Sequence, residues 1–280
     1  MSELWLDGQD LTVIAPQLLG PELTVLSAYR NRLTQFPAAL PSGLRVLNLA
    51  DNLIGQVPET LGRLRQLHTL DLGHNRISAL PDAIGDLHGL SRYLYLSDNR
   101  LTELPAALTR LSRLGYLGAT DNRLASLPAD FGALAALHEL RLYRNRLTAL
   151  PRSFGRLARL REAHLMENRL ETLPDTIGGL TELRELRLMD NQVRELPDGI
   201  GALARLRLLD LRNNRLGRLP DAVAGLRSLT HLDLRDNGLH ALPEALADLP
   251  LEKLDLRWNR LEWEPHWLAD LERRGCVVLR

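Results

Sequence analysis

Asparagine recurs along the chain at an almost constant spacing, and this repeat constrains the fold more than any other feature. The intervals between successive asparagines of the series are 21 to 24 residues, most often 23. Gln9 lies 22 residues before the first, so we interpret its segment as a degenerate first copy of twelve. Self-similarity at such a period is typical of solenoids built from stacked coils. The series is Asn31, Asn52, Asn75, Asn99, Asn122, Asn145, Asn168, Asn191, Asn214, Asn237 and Asn259.

Each copy follows the pattern L-x-x-L-x-L-x-x-N-x-L-x-x-L-P-x-x-I-G-x-L-x-x, most clearly in LHTLDLGHNRISALPDAIGDLHG, residues 67–89. The L-x-L segment alternates with period two, which predicts a short strand with one buried face. The proline lacks an N–H and has a fixed φ, so we expect it in the first turn of a short helix. Stacked copies therefore predict a parallel sheet and one leucine core.

This pattern resembles the leucine-rich repeat family, specifically its 23-residue class with an LPxxIGxL second half, as in Ras-suppressor-like, scribble-like and many bacterial proteins. The resemblance covers essentially the whole chain. It implies an α/β fold, a leucine-rich-repeat solenoid (horseshoe) with one parallel concave β-sheet and short helical or 3-10 segments on the convex side. We expect an N-terminal capping repeat at 1–22, leucine-rich repeats at 23–262 and a C-terminal cap at 263–280.

The asparagines themselves are interpreted as structural. A turn between stacked coils leaves backbone N–H and C=O groups that must be paired, and a short amide can bond both kinds. In the C-terminal cap, EWEPHWLADLERRGCVVLR predicts a helix, a stop at Gly275 and a closing strand. We expect Trp263 and Trp267 to cover the last coil.

Composition limits the classes of partner. The 35 basic and 35 acidic residues balance, whereas a protein that binds nucleic acid needs a basic footprint. Lys253 is the only lysine, and the abundance of Arg, Ala, Leu and Gly suggests a GC-rich, bacterial genome. The single cysteine, an N-terminus without a secretory pattern and the lack of an 18-residue apolar run favour a cytoplasmic protein without a membrane partner.

The side chains between the strand leucines should point into the concavity. We number each repeat from its first leucine, so that places 2, 3, 5, 7 and 8 face this side and Asn is place 9. All five tyrosines fall in these places, as do both internal methionines. Contiguous apolar residues of this kind usually mark interaction sites. The predicted partner-binding band comprises Tyr93, Tyr95, Tyr116, Tyr143, Met166 and Met189.

Charged residues flank this band. Arg141, Arg144 and Arg187 are predicted to form its polar rim, and Trp258 is either a second anchor or part of the cap packing. Farther along, Asp at place 5 and Arg at place 7 should neutralise each other, since residues i and i+2 share a face. Those columns are Asp210, Asp233 and Asp255 with Arg212, Arg235 and Arg257.

No catalytic or metal motif is recognisable. Walker, GxSxG and HExxH patterns do not occur, and Cys276 lies in an apolar strand without a base. The eight histidines fall in different columns, so we expect no ligand cluster, no metal and no cofactor. A calcium site at the run Asp51, His74, Asp98 and Asp121 is less favoured than ion pairs with Arg76, Arg100 and Arg123 nearby.

One repeat contains an additional residue. In GLSRYLYLSDNRL, residues 89–101, three residues instead of two separate Leu90 from Leu94. We expect a bulge at Ser91 or Arg92, a displaced strand entry and Tyr93 on the same face as Tyr95. The alternative is a tolerated insertion with no functional role.

The sequence therefore predicts a non-catalytic protein-interaction module that binds a protein or peptide on its concave face. Two alternatives remain open: a homodimer formed through the concave face, and a bacterial effector that binds a host protein. The start of the repeats close to Met1 counts against the effector. In repeat proteins the sequence predicts the scaffold, but it does not predict the identity of the partner.

Overall fold

The fold is described from a computed structural model, which covers residues 2–280. The chain forms two compact units, Met1–Leu142, described from Ser2 onward, and Tyr143–Arg280. Each unit consists of repeated coils, and in most of them a short strand is followed by a 3-10 helix. Within the described residues, no helix has the length and apolar character needed to cross a membrane.

In the first unit, seven parallel strands lie side by side in the order of the sequence. They are β1 (Ser2–Trp5), β2 (Leu23–Ser27), β3 (Val46–Asn48), β4 (Thr69–Asp71), β5 (Tyr93–Tyr95), β6 (Tyr116–Gly118) and β7 (Glu139–Arg141). The 3-10 helices of this unit are Pro16–Leu18, Glu59–Arg63, Asp82–Asp86, Ala106–Arg110 and Phe131–Ala133.

The second unit has six strands in the same parallel, sequential arrangement. They are β8 (Glu162–His164), β9 (Glu185–Arg187), β10 (Leu208–Asp210), β11 (His231–Asp233), β12 (Lys253–Asp255) and β13 (Val277–Leu279). Its 3-10 helices are Arg152–Arg156, Asp175–Gly179, Asp198–Ala202, Asp221–Gly225 and Glu244–Asp248, and its one α-helix is α1 (Trp267–Arg273).

The core of each unit lies between the strands and the 3-10 helices. The central leucine of each regular strand is buried, as in Leu70 of β4 and Leu186 of β9. Phe131 and Phe154 fill the core from the 3-10 side, and both are fully buried. The expected leucine-rich-repeat fold class, with strands on one side of a leucine core and 3-10 segments on the other, is confirmed.

The asparagines form the ladder that the sequence predicts. In a typical rung, the Asn75 side-chain nitrogen donates to the carbonyls of Leu72 and Gly73 in its own coil, at 3.2 and 3.0 Å. It also donates to the Leu49 carbonyl of the preceding coil at 2.9 Å, and Asn75 Oδ1 accepts the Ile54 N–H at 2.9 Å. One amide therefore satisfies backbone groups of two neighbouring coils.

In most repeats the proline directly precedes the 3-10 helix and does not lie in its first turn, as in the repeat of Pro81. Pro81 has an extended conformation, with φ −72° and ψ 155°, and directly precedes the 3-10 helix Asp82–Asp86. Its carbonyl accepts the N–H of Ile84 at 3.0 Å, as a residue capping a helix N-terminus does. Pro81 therefore lies outside the helix, and its missing N–H leaves no helical hydrogen bond unmade.

The additional residue near Tyr93 does not disturb the strand. Strand β5 pairs with β4 without a register shift, so the displaced strand entry was a wrong expectation. The N–H groups of Arg92 and Tyr93 reach the His68 carbonyl at 3.0 and 3.4 Å, as His68 and Thr69 reach the preceding coil. Arg92 thus has the normal position, and the extra residue is Ser91, which lies before the strand. The expected bulge is therefore not found in the pairing of β5 with β4.

The C-terminal segment contains the predicted helix, α1, and the closing strand, β13. Gly275 between them has φ +95°, a conformation that L side chains rarely adopt. Trp267 is buried, but Trp263 is exposed, so only Trp267 covers the last coil. The boundaries 1–22, 23–262 and 263–280 stay predictions.

Replacing a ladder asparagine should cost much more stability than replacing an asparagine on the sheet face. We expect Asn75→Ala to lower the free energy of unfolding by about 2–4 kcal/mol, since it leaves buried backbone groups of two coils unpaired. Asn48→Ala is the matched control, because Asn48 is half-buried at place 5 and its side chain accepts the Ala50 N–H of its own coil at 3.0 Å. Urea denaturation of both variants measures the difference, and equal losses would contradict the structural role of the ladder.

Candidate functional site

The sheet face of each unit carries side chains from places 3 and 5. Because the parallel strands pair in register, equivalent places stack into columns, such as Thr69, Tyr93 and Tyr116 at place 3. Residues 23 positions apart in the sequence are therefore neighbours on this face, about 4.8 Å apart. The predicted band divides between the two units, and each part is described by itself.

In the first unit, three tyrosines form a mutually packed cluster. The rings of Tyr93 and Tyr95 are stacked, with centroids 5.6 Å apart and planes inclined by 14°. Tyr116 contacts Tyr93 edge-on at 5.7 Å and Tyr95 at 4.8 Å. The prediction that Tyr93 shares a face with Tyr95 is confirmed. We call Tyr93, Tyr95 and Tyr116 the tyrosine cluster.

Tyr116 differs from the expectation, because it is buried and only 8% exposed. The reason is Gly118, which lies opposite Tyr95 in the strand register. A Cβ atom on Gly118 would lie 2.8 Å from the Tyr116 hydroxyl and 2.9 Å from its Cε1, so the ring occupies the space that glycine leaves. Tyr116 thus supports the other two rings, and Tyr93, which is 42% exposed, presents the accessible surface.

The environment of Tyr95 favours its neutral form. Partial burial raises the pKa of Tyr95, and the nearby Tyr93, Asp71 and Glu139 raise it further, against a smaller opposite effect of Arg141. The Tyr95 hydroxyl is therefore protonated at neutral pH and can donate a hydrogen bond. A ring with an apolar body and a polar tip is well suited to protein contacts.

Arg141 borders the tyrosine cluster as predicted. Its guanidinium carbon lies 5.9 Å from the centroid of the Tyr116 ring, within cation–π range. Arg141 Nε also donates to Glu139 Oε1 at 2.6 Å, two residues earlier on β7. This pairing fixes the arginine beside the cluster.

The remaining part of the predicted band lies in the second unit. Tyr143, Met166 and Met189 are half-buried at place 7 of successive repeats. The Arg144 guanidinium lies 5.9 Å from the Tyr143 ring centroid, and Arg212 Nε contacts Met189 Sδ at 3.1 Å. Tyr143 and Met189 thus each contact an arginine side chain.

The two predicted arginines of this unit are held by glutamates. Arg144 Nε donates to both carboxylate oxygens of Glu167 at 3.1 Å, and Arg187 Nη2 donates to Glu185 Oε2 at 3.1 Å. Place 8, which includes Arg144, has a left-handed backbone with φ 54°. In the first unit, Asp98 at place 8 pairs with His74 Nδ1 of the preceding repeat at 2.7 Å, and not with Arg100 two residues on as the sequence predicts.

Trp258 is 69% exposed and also has the left-handed backbone of place 8, with φ 61°. The Arg257 guanidinium carbon lies 5.4 Å from the centre of its ring. Together with Trp263, Leu261 and Leu268, it lines a cavity of about 370 Å³. Trp258 is thus an exposed residue beside the C-terminal segment, which fits the second anchor better than buried cap packing.

The predicted acid and base columns neutralise each other. Arg257 Nη2 lies 2.6 Å from Asp255 Oδ2, and Arg235 Nε of the adjacent strand lies 3.2 Å from the same oxygen. Burial alone would raise the pKa of Asp255, but the hydrogen bonds from Arg257 and the charges of both arginines outweigh it and hold the pKa below its ordinary value. Asp255 is 1% exposed, so this carboxylate is buried, charged and doubly paired.

Asp210 has the same place in β10 but the opposite shift. Burial raises its pKa, and the backbone N–H and charge of Arg212 only partly offset this effect. The ion pair is longer, with 3.7 Å from Arg212 Nε to Asp210 Oδ2. One reason is that Arg212 is also engaged by the Met189 sulfur.

One group of side chains was missed at the level of sequence. Glu162, His164 and Glu185 place potential metal-ligand atoms within 4.8 Å of one another. The expectation that no histidine joins a ligand cluster is therefore wrong for His164. The sequence pattern that indicates this group is Glu-x-His in one strand followed by glutamate one repeat later. Places 3 and 5 of adjacent strands share a face, so these three side chains lie close together.

The repeated strand and 3-10 coil, the leucine core and the asparagine ladder define a repeat protein of the leucine-rich type. Two family models match: "Leucine-rich repeat region" at residues 105–192 and 175–273, and "Leucine rich repeat" at 21–77, 42–101 and 66–124. The chain belongs to the leucine-rich repeat family. Both models describe repeats and indicate no enzyme family, and the assignment to the 23-residue class stays a prediction.

Among individual proteins, human Podocan-like protein 1 is 41% identical over 100 residues, which are 34% of this chain and 19% of that protein. The chain thus spans a minor part of the curated relatives it matches. The leucine-rich repeat ectodomain of the Arabidopsis thaliana receptor kinase GASSHO1/SCHENGEN3, solved in complex with CASPARIAN STRIP INTEGRITY FACTOR 2, matches with TM-score 0.78 and 28% identity. The match covers 95% of this chain and 36% of that one. An internalin of Listeria monocytogenes, with TM-score 0.72 and 20% identity over 99% of this chain and 86% of its own, shares the fold.

Neutralising Asp210 and neutralising Asp255 should change stability in opposite directions. A carboxyl whose pKa is raised by folding makes the folded state less stable as pH rises. A carboxyl whose pKa is lowered by folding stabilises the folded state at pH values above its pKa in the unfolded chain, about 3.9, and this stabilisation is lost as pH falls. At pH 7 we therefore expect Asp210→Asn to raise the melting temperature. Asp255→Asn should lower the free energy of unfolding by about 1–3 kcal/mol, because it leaves buried arginine contacts poorly paired.

Thermal and urea unfolding at pH 7 and pH 3 measure both effects. At pH 3 the difference between wild type and Asp255→Asn should shrink, since the wild-type carboxylate approaches protonation. A loss of stability in Asp210→Asn equal to that in Asp255→Asn would contradict the assigned difference between the two sites.

Proposed function

We propose that this chain is a non-catalytic protein-interaction module that binds a protein or peptide partner at the tyrosine cluster. The observation that carries the proposal is the packing of Tyr93, Tyr95 and Tyr116 into one continuous aromatic group on the sheet face. Aromatic residues on a rigid element offer large contact area at low entropic cost, and they are enriched in binding hot spots. The sequence predicts that this face is concave.

The surroundings of the cluster support a peptide or protein ligand. Arg141 and Glu139 lie on one side and Asp71 lies across the strand from Tyr95, so an apolar centre has a polar rim. The complex of the GASSHO1/SCHENGEN3 ectodomain gives a precedent within a similar fold, at 28% identity. Trp258, and Tyr143 with Met166 and Met189, are proposed as additional contacts in the second unit.

The setting and the alternatives are also proposals. A cytoplasmic location rests on the single, buried Cys276, since a reduced compartment has no use for disulfides. Self-association through the tyrosine cluster and binding of a host protein are the alternatives to an endogenous partner. Light scattering during size exclusion distinguishes the first of these, because a homodimer through this face has twice the mass of the monomer.

Removal of the two accessible rings should abolish peptide binding without loss of the fold. Peptides are selected from a phage-displayed library on the wild-type chain, and their affinities are measured by fluorescence anisotropy with synthetic copies. We expect the combined variant Tyr93→Ala and Tyr95→Ala to bind the selected peptides at least about tenfold more weakly, the loss of one or two hot-spot contacts. Tyr116 is left intact because it is buried.

Tyr29→Ala is the matched control. Tyr29 is in the same unit and, like Tyr93, is 42% exposed, but it lies outside the tyrosine cluster. This variant should retain wild-type affinity, and circular dichroism should show that both variants are folded. Selection of no peptide by the wild type, or equal losses in the cluster and control variants, would argue against this site.

A further inference from the structure

The sheet face of the second unit carries a group of three side chains that the interaction surface does not require. Glu162 and His164 are at places 3 and 5 of β8, and Glu185 is at place 3 of β9. We propose that these three residues form a binding site for a divalent transition-metal ion, specifically Zn²⁺. The inference is independent of the proposed protein-binding function.

The strand geometry brings the three side chains together. Glu162 pairs with Glu185 in the register of β8 and β9, and residues i and i+2 of β8 point to the same face. Each of the three offers one ligand atom, and these atoms all lie within 4.8 Å of one another. Only small side-chain rotations are needed for them to converge on one ion.

The closest pair already has the spacing of metal ligands. Glu162 Oε2 lies 3.4 Å from His164 Nε2. Two ligands of tetrahedral zinc with bonds of about 2.0–2.1 Å are separated by about 3.3 Å. A site with one imidazole and two carboxylates suits Zn²⁺, and three protein ligands leave the fourth position to water.

A bound cation also resolves an electrostatic conflict on this face. Glu162 and Glu185 lie directly opposite each other in adjacent strands, where like charges repel. In the next repeat Arg187 at place 5 provides the compensating charge, but in β8 this place is His164, a weaker base and a better metal ligand. Arg187 already pairs with Glu185, so Zn²⁺ between the two carboxylates adds positive charge beside Glu162, where place 5 is His164 instead of arginine.

Arg187 does not block the site. Its Nε and Nη2 both donate to the same oxygen of Glu185, Oε2, at 3.3 and 3.1 Å. The carboxylate can keep these bonds while Oε1 turns to the ion. Arg187 then acts as an orienting partner of the ligand, in the way that outer-shell residues orient the ligands of other metal sites. His164 is only 14% exposed, which restricts its motion and favours a defined site.

Isothermal titration of the metal-free chain with Zn²⁺ tests the proposal. We expect one site in the wild type, with affinity lowered at least about tenfold in His164→Ala and in Glu185→Gln, as for removal of any group that holds a metal. Glu185→Gln retains the side-chain volume, so it remains informative if His164→Ala does not fold. Titration with Mg²⁺, which requires oxygen ligands in octahedral geometry, should give no binding at this site.

His231→Ala is the matched control. His231 also shares one strand face with a carboxylate, Asp233, but its partner across the strand is Lys253 rather than glutamate. This variant should bind Zn²⁺ as the wild type does. Equal affinities of the wild type and the His164→Ala and Glu185→Gln variants, or no Zn²⁺ binding by the folded wild type, would overturn the proposal and leave the group as an ordinary ion pair.

Discussion

The asparagine ladder is the interaction on which the other features of each unit depend. A rung such as Asn75 bonds backbone groups in its own coil and in the preceding one, so every coil is fixed to its neighbour at the same depth. Hydrophobic burial of the leucines is non-directional and would tolerate sliding of the coils. Hydrogen bonds to specific carbonyls do not tolerate it. The ladder therefore explains why β4 and β5 pair without a register shift, although the additional Ser91 lies between them.

A fixed register converts distance in the sequence into columns on the sheet. The chemistry of a surface position then depends on the residues one repeat before and one repeat after it. Asp255 remains ionised because arginines from two repeats reach the same carboxylate oxygen, whereas Asp210 forms a longer ion pair with Arg212, which also contacts the Met189 sulfur. The two aspartates have the same place in their repeats and opposite pKa shifts. Place within a repeat is therefore insufficient to specify the properties of a side chain.

This dependence decides how much the sequence could predict. The strands, the 3-10 returns, the ladder, the C-terminal helix and the common face of Tyr93 and Tyr95 all follow from periodicity, and the structure contains each of them. The burial of Tyr116 did not follow, because it depends on the absence of a side chain at Gly118 in the same strand. The group at Glu162, His164 and Glu185 did not follow either, because its members come from two places and two strands rather than from one column. Periodicity predicts where the backbone places a residue, but not how neighbouring side chains share the space.

The same reasoning shows why the tyrosine cluster and the Glu162, His164 and Glu185 group can exist on a very regular scaffold. The core and the ladder use the leucine places and the asparagine place, and they leave places 3 and 5 without a structural requirement. Place 8 is different, since its left-handed backbone favours Asp, Asn or Gly. Arg144 and Trp258 have this conformation without such a side chain, at a cost of about 1 kcal/mol each. Substitutions at places 3 and 5 carry no such backbone cost, and these are the places that hold all three members of both groups.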